Sequence, residues 1–242
     1  MASVLKRGVA RGAPVLPLHD RPASHFQPMP DDIARRECLA SLPLPKLKEE
    51  EGDIRVLVSS TSWTPDEDFS LLIDALCRYG EVATTEKPDL PAILAIITGK
   101  GPQREMYVDQ ISRLQREGKL KKVVITALWL SFPDYARLLA SASLGVSLHT
   151  SSSGVDLPMK VVDMFGAGLP VVGWDRYESW SELVNEGIDG MGFGSWEELA
   201  AILVDLFGHS AKLDALRRGA EMQSLRRWDD EWDPIVGKLF FG

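Results

Sequence analysis

The stretch from Leu144 to Trp174 constrains the fold more than any other, because it reads as two buried strands joined by a helix. An apolar run at 144–149 predicts the first strand, and the apolar run at 169–172 predicts the second. Between them, a loop rich in Ser and Gly leads into a predicted helix over 158–165, which two glycines end. Apolar strands with helical crossovers are typical of a parallel sheet covered on both faces.

The start of that helix carries the first functional signal. Pro158 suits the first helical position because its missing N–H would be unpaired there, and Asp156 is a suitable N-cap. A helix N-terminus attracts phosphate, and a Ser/Gly loop lets a ligand approach the backbone. Lys160 and Asp163 share one predicted helical face and could bind phosphates and ribose hydroxyls, respectively. The spacing alone fits equally well a helix whose polar side faces solvent.

The alternation of strands and helices continues on the N-terminal side of this stretch. Apolar runs at 54–58, 92–98 and 121–126 predict further strands. After the first of these, Pro65 predicts a helix start with Thr64 as its cap. Further helices are predicted over 31–40, up to about Glu117, and over 133–142, 196–207 and 211–225. The pattern gives about six βα units and predicts an α/β, Rossmann-like parallel sheet with helices on both faces.

The composition narrows the function classes. The 242 residues are 45% hydrophobic, which is enough for one sizeable domain. The net charge of −8 and the lack of a long Lys/Arg cluster argue against a nucleic-acid partner. The two cysteines, Cys38 and Cys77, lack metal-ligand spacing, so we expect no metal site. No apolar run reaches about 18 residues, so no segment is expected to span a membrane.

Three segments resemble one glycosyltransferase family. The sequence LPMKVVDMFGAGLPVV at 157–172 resembles the nucleotide-sugar motif of GT-B glycosyltransferases. The longer LHTSSSGVDLPMKVVDMFG at 148–166 is similar to the chitobiosyldiphosphodolichol beta-1,4-mannosyltransferase family. SSTSWTPDEDFSLLIDAL at 59–76 and ITGKGP at 97–102 resemble the same family, in the same order. The resemblance extends roughly from Val15 to the C-terminus and covers the C-terminal half of such enzymes.

The resemblance implies an inverting mannosyltransferase, or its donor half. The donor would be GDP-mannose and the acceptor a chitobiose linked by diphosphate to dolichol, in lipid-linked oligosaccharide synthesis for N-glycosylation. The implied location is the cytosolic face of the endoplasmic reticulum membrane, and membrane-associated glycosyltransferases are candidate partners. No cofactor is implied besides the donor substrate. The general base usually comes from the N-terminal domain of GT-B enzymes, so the catalytic residue is unknown and this chain alone is expected to be nearly inactive.

The resemblance also implies a division of the chain. Residues 1–51 would be a remnant of the N-terminal domain and a linker, 52–227 the nucleotide-sugar-binding domain, and 228–242 a C-terminal crossover tail. The alternative is a non-catalytic fragment that binds a nucleotide sugar or a partner protein. A Rossmann-like oxidoreductase is disfavoured because no GxGxxG follows the first predicted strand.

The candidate donor site consists of polar residues that follow the predicted strands. In many GT-B enzymes the first loop supplies basic phosphate ligands, whereas here Ser60, Thr61 and Ser62 stand there, and we expect their hydroxyls to replace them. The family pattern often has an acidic residue eight positions before Asp163, but Val155 occupies that place. The full candidate set is Ser60, Thr61, Ser62, Gly99, Lys100, Trp129, His149, Ser152, Ser153, Gly154, Asp156, Lys160 and Asp163.

Alternatives remain open for four members of this set. Gly99 and Lys100 either bind phosphate or form an ordinary strand-to-helix turn with a solvated lysine. Trp129 either packs beside a purine base or plugs the core. His149 either contacts the donor or is a buried, hydrogen-bonded histidine.

Overall fold

The computed structural model describes residues 16, 18–45, 53–150 and 156–241. Its centre is a six-stranded sheet in the order β3-β2-β1-β4-β5-β6, in which all named pairs are parallel. The predicted α/β class with a parallel sheet is thereby confirmed. The five predicted strands are present with bounds shifted by at most two residues, and the sixth strand was not predicted. The strands are β1 (Ile54–Ser60), β2 (Ala92–Thr98), β3 (Val123–Leu128), β4 (Leu144–Ser147), β5 (Val171–Trp174) and β6 (Gly190–Phe193).

Helices connect these strands and continue after the last one. Up to β5 they are α1 (Asp32–Ser41), α2 (Phe69–Thr85), α3 (Arg104–Arg116), α4 (Phe132–Ser141) and α5 (Met159–Gly166). After β5 they are α6 (Trp180–Leu183), α7 (Trp196–Gly208), α8 (Ser210–Ser224), α9 (Trp228–Trp232) and α10 (Lys238–Phe241), with a π-helical turn over Asp233–Gly237.

The core has one layer on each face of the sheet. Along β1, Leu57 packs into a cluster that includes residues of α2 and α7, whereas Val56 and Val58 pack into a cluster that includes residues of α4 and α5. Strand β2 is buried along its whole length, as expected for a central parallel strand with both faces covered. Each fully buried Ile or Leu contributes about 1.5–3 kcal/mol, so the sheet is a rigid platform for the loops at its carboxyl edge.

The predicted helix start at Pro65 is wrong. Helix α2 begins at Phe69, and the side chain of Asp68 caps it by accepting a hydrogen bond from the Ser70 N–H. The preceding residues instead form a turn, in which the backbone of Glu67 makes a β-bridge with His149. The turn prevails because the side chain of Glu67 is directed inward and finds hydrogen-bond donors there, as described below.

The predicted start of α5 is also corrected. The helix begins at Met159, and Pro158 occupies the N-cap position without a side-chain cap hydrogen bond. The carboxylate of Asp156 lies 2.7 Å from His149 Nε2.

A buried ion pair joins the segment before α1 to helix α9. The carboxylate of Glu231 accepts hydrogen bonds from the Arg21 guanidinium, with Nη2 at 2.6 Å, and from the His19 backbone N–H at 3.1 Å. Burial alone would raise the pKa of Glu231, but the hydrogen bonds from Arg21 and His19 outweigh it and lower that pKa to about 2. Arg227 adds hydrogen bonds to the carbonyl of the buried Phe26. The proposed division at residues 51 and 227 stays a prediction.

Helix length and polarity bear on the membrane question. Over residues 18–45, 53–150 and 156–241, no helix is both long and apolar enough to cross a bilayer.

Candidate functional site

The loops after β1, β2 and β3 meet the start of α5 at the carboxyl edge of the sheet. The strand order reverses between β1 and β4, and ligands of open α/β sheets bind at such a position. A cavity of about 260 Å³ opens there. Its lining residues are Ser60, Thr61, Thr98, Gly99, Trp129, Leu130, Phe132, Tyr135 and Lys160. The fold thus brings together five of the predicted site residues from four different segments.

Larger clefts lie elsewhere, but they are not at this edge. One of about 610 Å³ is lined by Cys77, Trp196 and charged side chains of α2 and the turn after α3. Another of about 470 Å³ lies at the amino ends of β1 and α8 and includes Arg36 and Arg217. Ligand sites of parallel sheets belong to the carboxyl edge, so we place the candidate site in the smaller cavity.

Trp63 connects the loops after β1 and β2. It is fully buried, has a left-handed φ of 50°, and donates from its indole Nε1–H to the Gly99 carbonyl at 3.2 Å. Its own N–H donates to Thr61 Oγ1 at 2.7 Å. At Gly99 a Cβ would lie 1.9 Å from the carbonyl oxygen of Thr61, so only glycine fits. The two loops therefore form one rigid unit. The close approach of the loops explains the glycine at position 99 without any ligand.

Glu67 and Lys160 form an ion pair at the edge of the cavity. Lys160 Nζ lies 2.7 Å from Glu67 Oε1 and 3.4 Å from Ser62 Oγ. The other carboxylate oxygen accepts from Thr61 Oγ1 at 2.6 Å and from the Ser62 N–H at 2.8 Å. The predicted hydroxyls of the first loop are thus already hydrogen-bonded within the protein. Their role as ligands of a donor phosphate stays a prediction.

A second hydroxyl cluster lies deeper in the same cavity. Ser60 Oγ and the Tyr135 hydroxyl are 2.9 Å apart, and Thr98 Oγ1 donates to Ser60 Oγ at 3.3 Å. Burial raises the pKa of Tyr135 to about 12, so its phenol is neutral and available as a donor or acceptor. Sequence reasoning missed Thr98 and Tyr135, because a Thr that ends a strand and a Tyr inside a helix carry no motif of their own.

Asp163 is half-buried on α5, and burial raises the pKa of its carboxyl group to about 6. Over the described part of the chain, no hydrogen bond or ion pair to its side chain is found. Lys160, on the same helix, is engaged with Glu67 instead. A half-buried carboxylate without a partner is costly, which is typical of groups held ready for a ligand. Its role toward ribose hydroxyls stays a prediction.

His149 and Asp156 form a pair beside the loop after β4. His149 Nε2 lies 2.7 Å from Asp156 Oδ2, and the His149 side chain is 20% exposed. Because a carboxylate is an acceptor, the proton of this hydrogen bond is carried by Nε2. The interpretation of His149 as a largely buried, hydrogen-bonded histidine is supported, and a contact with the donor stays a prediction. Ser152, Ser153 and Gly154 lie outside the described residues.

Trp129 and Lys100 form an exposed pair at the mouth of the cavity. The ammonium of Lys100 lies 4.1 Å from the centre of the indole ring, as in a cation–π contact. The Trp129 side chain is 64% exposed, so the interpretation that it plugs the core is wrong. The residue directly follows the end of β3 at Leu128, where its ring lines the cavity and not the core. An exposed indole face at a cavity mouth suits the stacking of a planar base.

Glu67 is the most consequential residue that sequence reasoning missed. It stands in a run of three acidic residues, which reads as the first turn of a helix. Its side chain is the only one of that run to appear among the buried polar residues of the described chain.

Among the described residues, no three His, Cys, Asp or Glu side chains are grouped so that they could hold a metal ion.

Comparison with known proteins identifies related sequences. The family described as "Glycosyl transferases group 1" matches residues 54–209. The chain is 56% identical to a chitobiosyldiphosphodolichol beta-mannosyltransferase of Arthroderma benhamiae, over 98% of this chain and 54% of that protein. It is 45% identical to the protein of the same name from Yarrowia lipolytica, over 95% of this chain and 47% of that protein. The chain therefore spans about half the length of these curated relatives.

A solved structure supports the same fold. Sucrose-phosphate synthase from Thermosynechococcus elongatus superposes with a TM-score of 0.66 at 15% identity, over 98% of this chain and 55% of that one. At this level of identity, the similarity concerns the fold alone.

Proposed function

The chain belongs to the family of group 1 glycosyl transferases, and we propose that it is the donor-binding half of a mannosyltransferase. The proposed reaction transfers mannose from GDP-mannose to chitobiosyl-diphospho-dolichol, with inversion at the anomeric carbon. The names of the similar relatives support the reaction and the acceptor. The observation that carries the donor site is the cavity in which Lys160 meets the loops of three strands at the carboxyl edge.

The proposed roles follow from the chemistry of the cavity. Lys160 is the cation among its lining residues, and it would neutralise the charge that develops on the leaving diphosphate. The exposed Trp129 ring would stack on the guanine base. The carboxylate of Asp163 would accept hydrogen bonds from the ribose hydroxyls, because within the described residues it has no other partner.

The residues named above act on the donor, and none of them is assigned to binding or activating the acceptor. Inversion requires a base that deprotonates the attacking hydroxyl. We propose that this base lies outside the donor half, at the cytosolic face of the endoplasmic reticulum membrane where a dolichol-linked acceptor would be bound. The chain alone should then bind donor and show little or no turnover on a lipid-linked chitobiose acceptor. Ready turnover by the purified chain would contradict this division of roles.

Titration calorimetry with GDP-mannose, GDP and UDP-glucose tests the donor site. We expect binding that is selective for the guanosine ligands. Lys160→Ala should weaken binding roughly 10- to 100-fold, because a hydrogen bond to a charged group contributes about 1.5–3 kcal/mol. The matched control is Lys212→Ala, whose ammonium pairs with Asp205 on the surface and should leave the affinity unchanged. A folded chain that binds none of the three ligands, or prefers UDP-glucose, would refute the assignment.

The alternative is a module that binds a nucleotide sugar or a partner protein without catalysis. A module for a nucleotide sugar makes the same prediction for donor binding by this chain, whereas a module for a partner protein predicts no donor binding. Both predict no transferase activity, even when an acceptor-binding domain is supplied.

A further inference from the structure

The proposed diphosphate site contains a buried negative charge, which needs an explanation. Glu67 is only 3% exposed, yet no family motif or spacing argument assigns it a role. Burying a carboxylate is unfavourable unless it is paired and hydrogen-bonded. A negative charge at this place would also repel the phosphates of a donor unless a cation lies between them.

The contacts of Glu67 meet both requirements and join three segments. One oxygen accepts from the Thr61 hydroxyl and the Ser62 N–H, which holds the loop after β1. The other oxygen contacts Lys160 Nζ on α5 at 2.7 Å. The backbone of Glu67 forms a bridge with His149, which follows β4. Through its side chain and its backbone, a single residue thereby fixes the relative positions of the loop, the helix start and the segment after β4.

The geometry leaves Lys160 able to bind a ligand at the same time. An ammonium group has three N–H donors. One points to Glu67, and a second is directed at Ser62 Oγ 3.4 Å away. The Lys160 side chain is 33% exposed and lines the cavity, so the third donor can reach a phosphate oxygen. Glu67 therefore orients the ammonium group and leaves one of its N–H donors available to a ligand.

We propose that Glu67 is the positioning residue of the donor site. It holds the Lys160 ammonium and the Thr61–Ser62 loop in the arrangement that receives the diphosphate of a nucleotide sugar. This inference rests on the proposed function for its ligand, but the arrangement itself can be tested without one. The contribution is indirect, because Glu67 would act through Lys160.

Glu67→Gln separates the two contacts of the carboxylate. The amide oxygen can still accept from Thr61 and Ser62, whereas the amide nitrogen then faces Lys160 and offers it no acceptor. We expect the affinity for GDP-mannose to fall about tenfold, with the melting temperature nearly unchanged, because one charge-assisted contact is lost. Glu67→Ala removes both contacts and should also lower the melting temperature.

A double-mutant cycle shows whether the effect runs through the lysine. In the Lys160→Ala background, Glu67→Gln should cause no further loss of affinity, because the group that it positions is absent. A loss that adds fully to that of Lys160→Ala would contradict the positioning role. A rise in affinity on Glu67→Gln would show that the carboxylate merely repels the diphosphate and would also overturn the proposal.

A ligand-free measurement separates this inference from the donor assignment. Acetic anhydride acetylates free amines, and mass spectrometry gives the rate at each lysine. Lys160 should react several-fold faster in Glu67→Gln than in the unmodified chain, whereas Lys100 should be unchanged. If the unmodified chain binds no GDP-mannose but Lys160 becomes more reactive, the donor assignment fails and the positioning role stands. An unchanged rate at Lys160 refutes the positioning role whatever the donor.

Discussion

Replacing Asp163 by Asn should make the protein more stable and the donor site worse. The carboxylate lies half-buried on α5, and within the described residues no cation or hydrogen-bond donor compensates its burial. Asn has nearly the same size and carries no charge, so the substitution removes the unfavourable burial without opening a cavity. A side chain that lowers stability and is proposed to bind a ligand is expected where function and stability conflict.

The size of the expected stability change follows from the pKa of Asp163. Burial raises the pKa of Asp163 from its usual 3.8 to about 6, so the folded state binds this proton more tightly than the unfolded state. Stability therefore falls as the pH rises from about 4 to about 6 and stays lower above that. A shift of about two units corresponds to about 3 kcal/mol at most. Because the side chain is partly solvated, we expect about 1–2 kcal/mol, or roughly 2–8 °C in melting temperature.

Thermal unfolding of the two proteins at pH 4 and pH 7.5 measures the effect. The melting temperature of Asp163→Asn should exceed that of the unmodified chain at pH 7.5, and the two should converge near pH 4. At pH 7.5 the affinity for GDP-mannose should fall about tenfold, because a carboxylate accepts hydrogen bonds from a diol better than an amide does.

Asp205→Asn is the matched control of opposite sign. The hydrogen bond from Lys212 lowers the pKa of Asp205, so this substitution should decrease stability at pH 7.5. If Asp163→Asn is no more stable than the unmodified chain at pH 7.5, the carboxylate is either paired or well solvated. The reasoning from burial would then be wrong.

Two further predictions concern the loops and the ion pair at α9. Gly99→Ala should lower the free energy of unfolding by about 3 kcal/mol or more and abolish donor binding, since its Cβ would lie 1.9 Å from the Thr61 carbonyl oxygen. The control Gly118→Ala is also at positive φ but in open space, so it should lower the free energy of unfolding by only about 1 kcal/mol. Urea unfolding measures both. Because Glu231 has a pKa lowered to about 2 from its usual 4.5, its contribution to stability is complete above about pH 4.5 and is lost as the pH falls toward 2. The fluorescence of the α9 tryptophans should therefore change over that range, and Glu231→Gln should show the acid signal already at pH 7; an unchanged spectrum would refute the role of this ion pair.

Much of the fold could be predicted from the sequence, because buried parallel strands are nearly continuous apolar runs. The run at 92–98 coincides with β2 for this reason. The start of α2 could not be predicted in the same way. Thr64 and Pro65 satisfy the local rules for a helix start, but the helix begins at Phe69. The side chain of Glu67 instead accepts hydrogen bonds from the preceding loop and from Lys160, 93 residues later in the chain. Local rules fail where a tertiary contact outweighs them.

The candidate site was predicted in its location but not in its internal bonding. The residues at the ends of strands, such as Ser60 and Gly99, meet in one cavity because parallel strands end at the same edge. What the sequence did not reveal is which side chains are already paired. Asp156 was expected at a helix start and instead contacts His149, and the partner of Lys160 is a residue far away in the chain. Pairings of this kind depend on the packing of whole elements.

The pairing of β1 with β4 has a consequence for how the chain is made. Ser59 Oγ donates to the Val146 carbonyl, 87 residues later in the sequence. Strands β1, β2 and β3 can pair as soon as they leave the ribosome, but the other edge of β1 has no neighbour until β4 emerges. At a synthesis rate of about 5–20 residues per second, the backbone N–H and C=O groups of this edge stay unpaired for several seconds. During that interval it is a template for wrong pairing, so a pause in translation or a chaperone acting before β4 would affect the yield of folded protein.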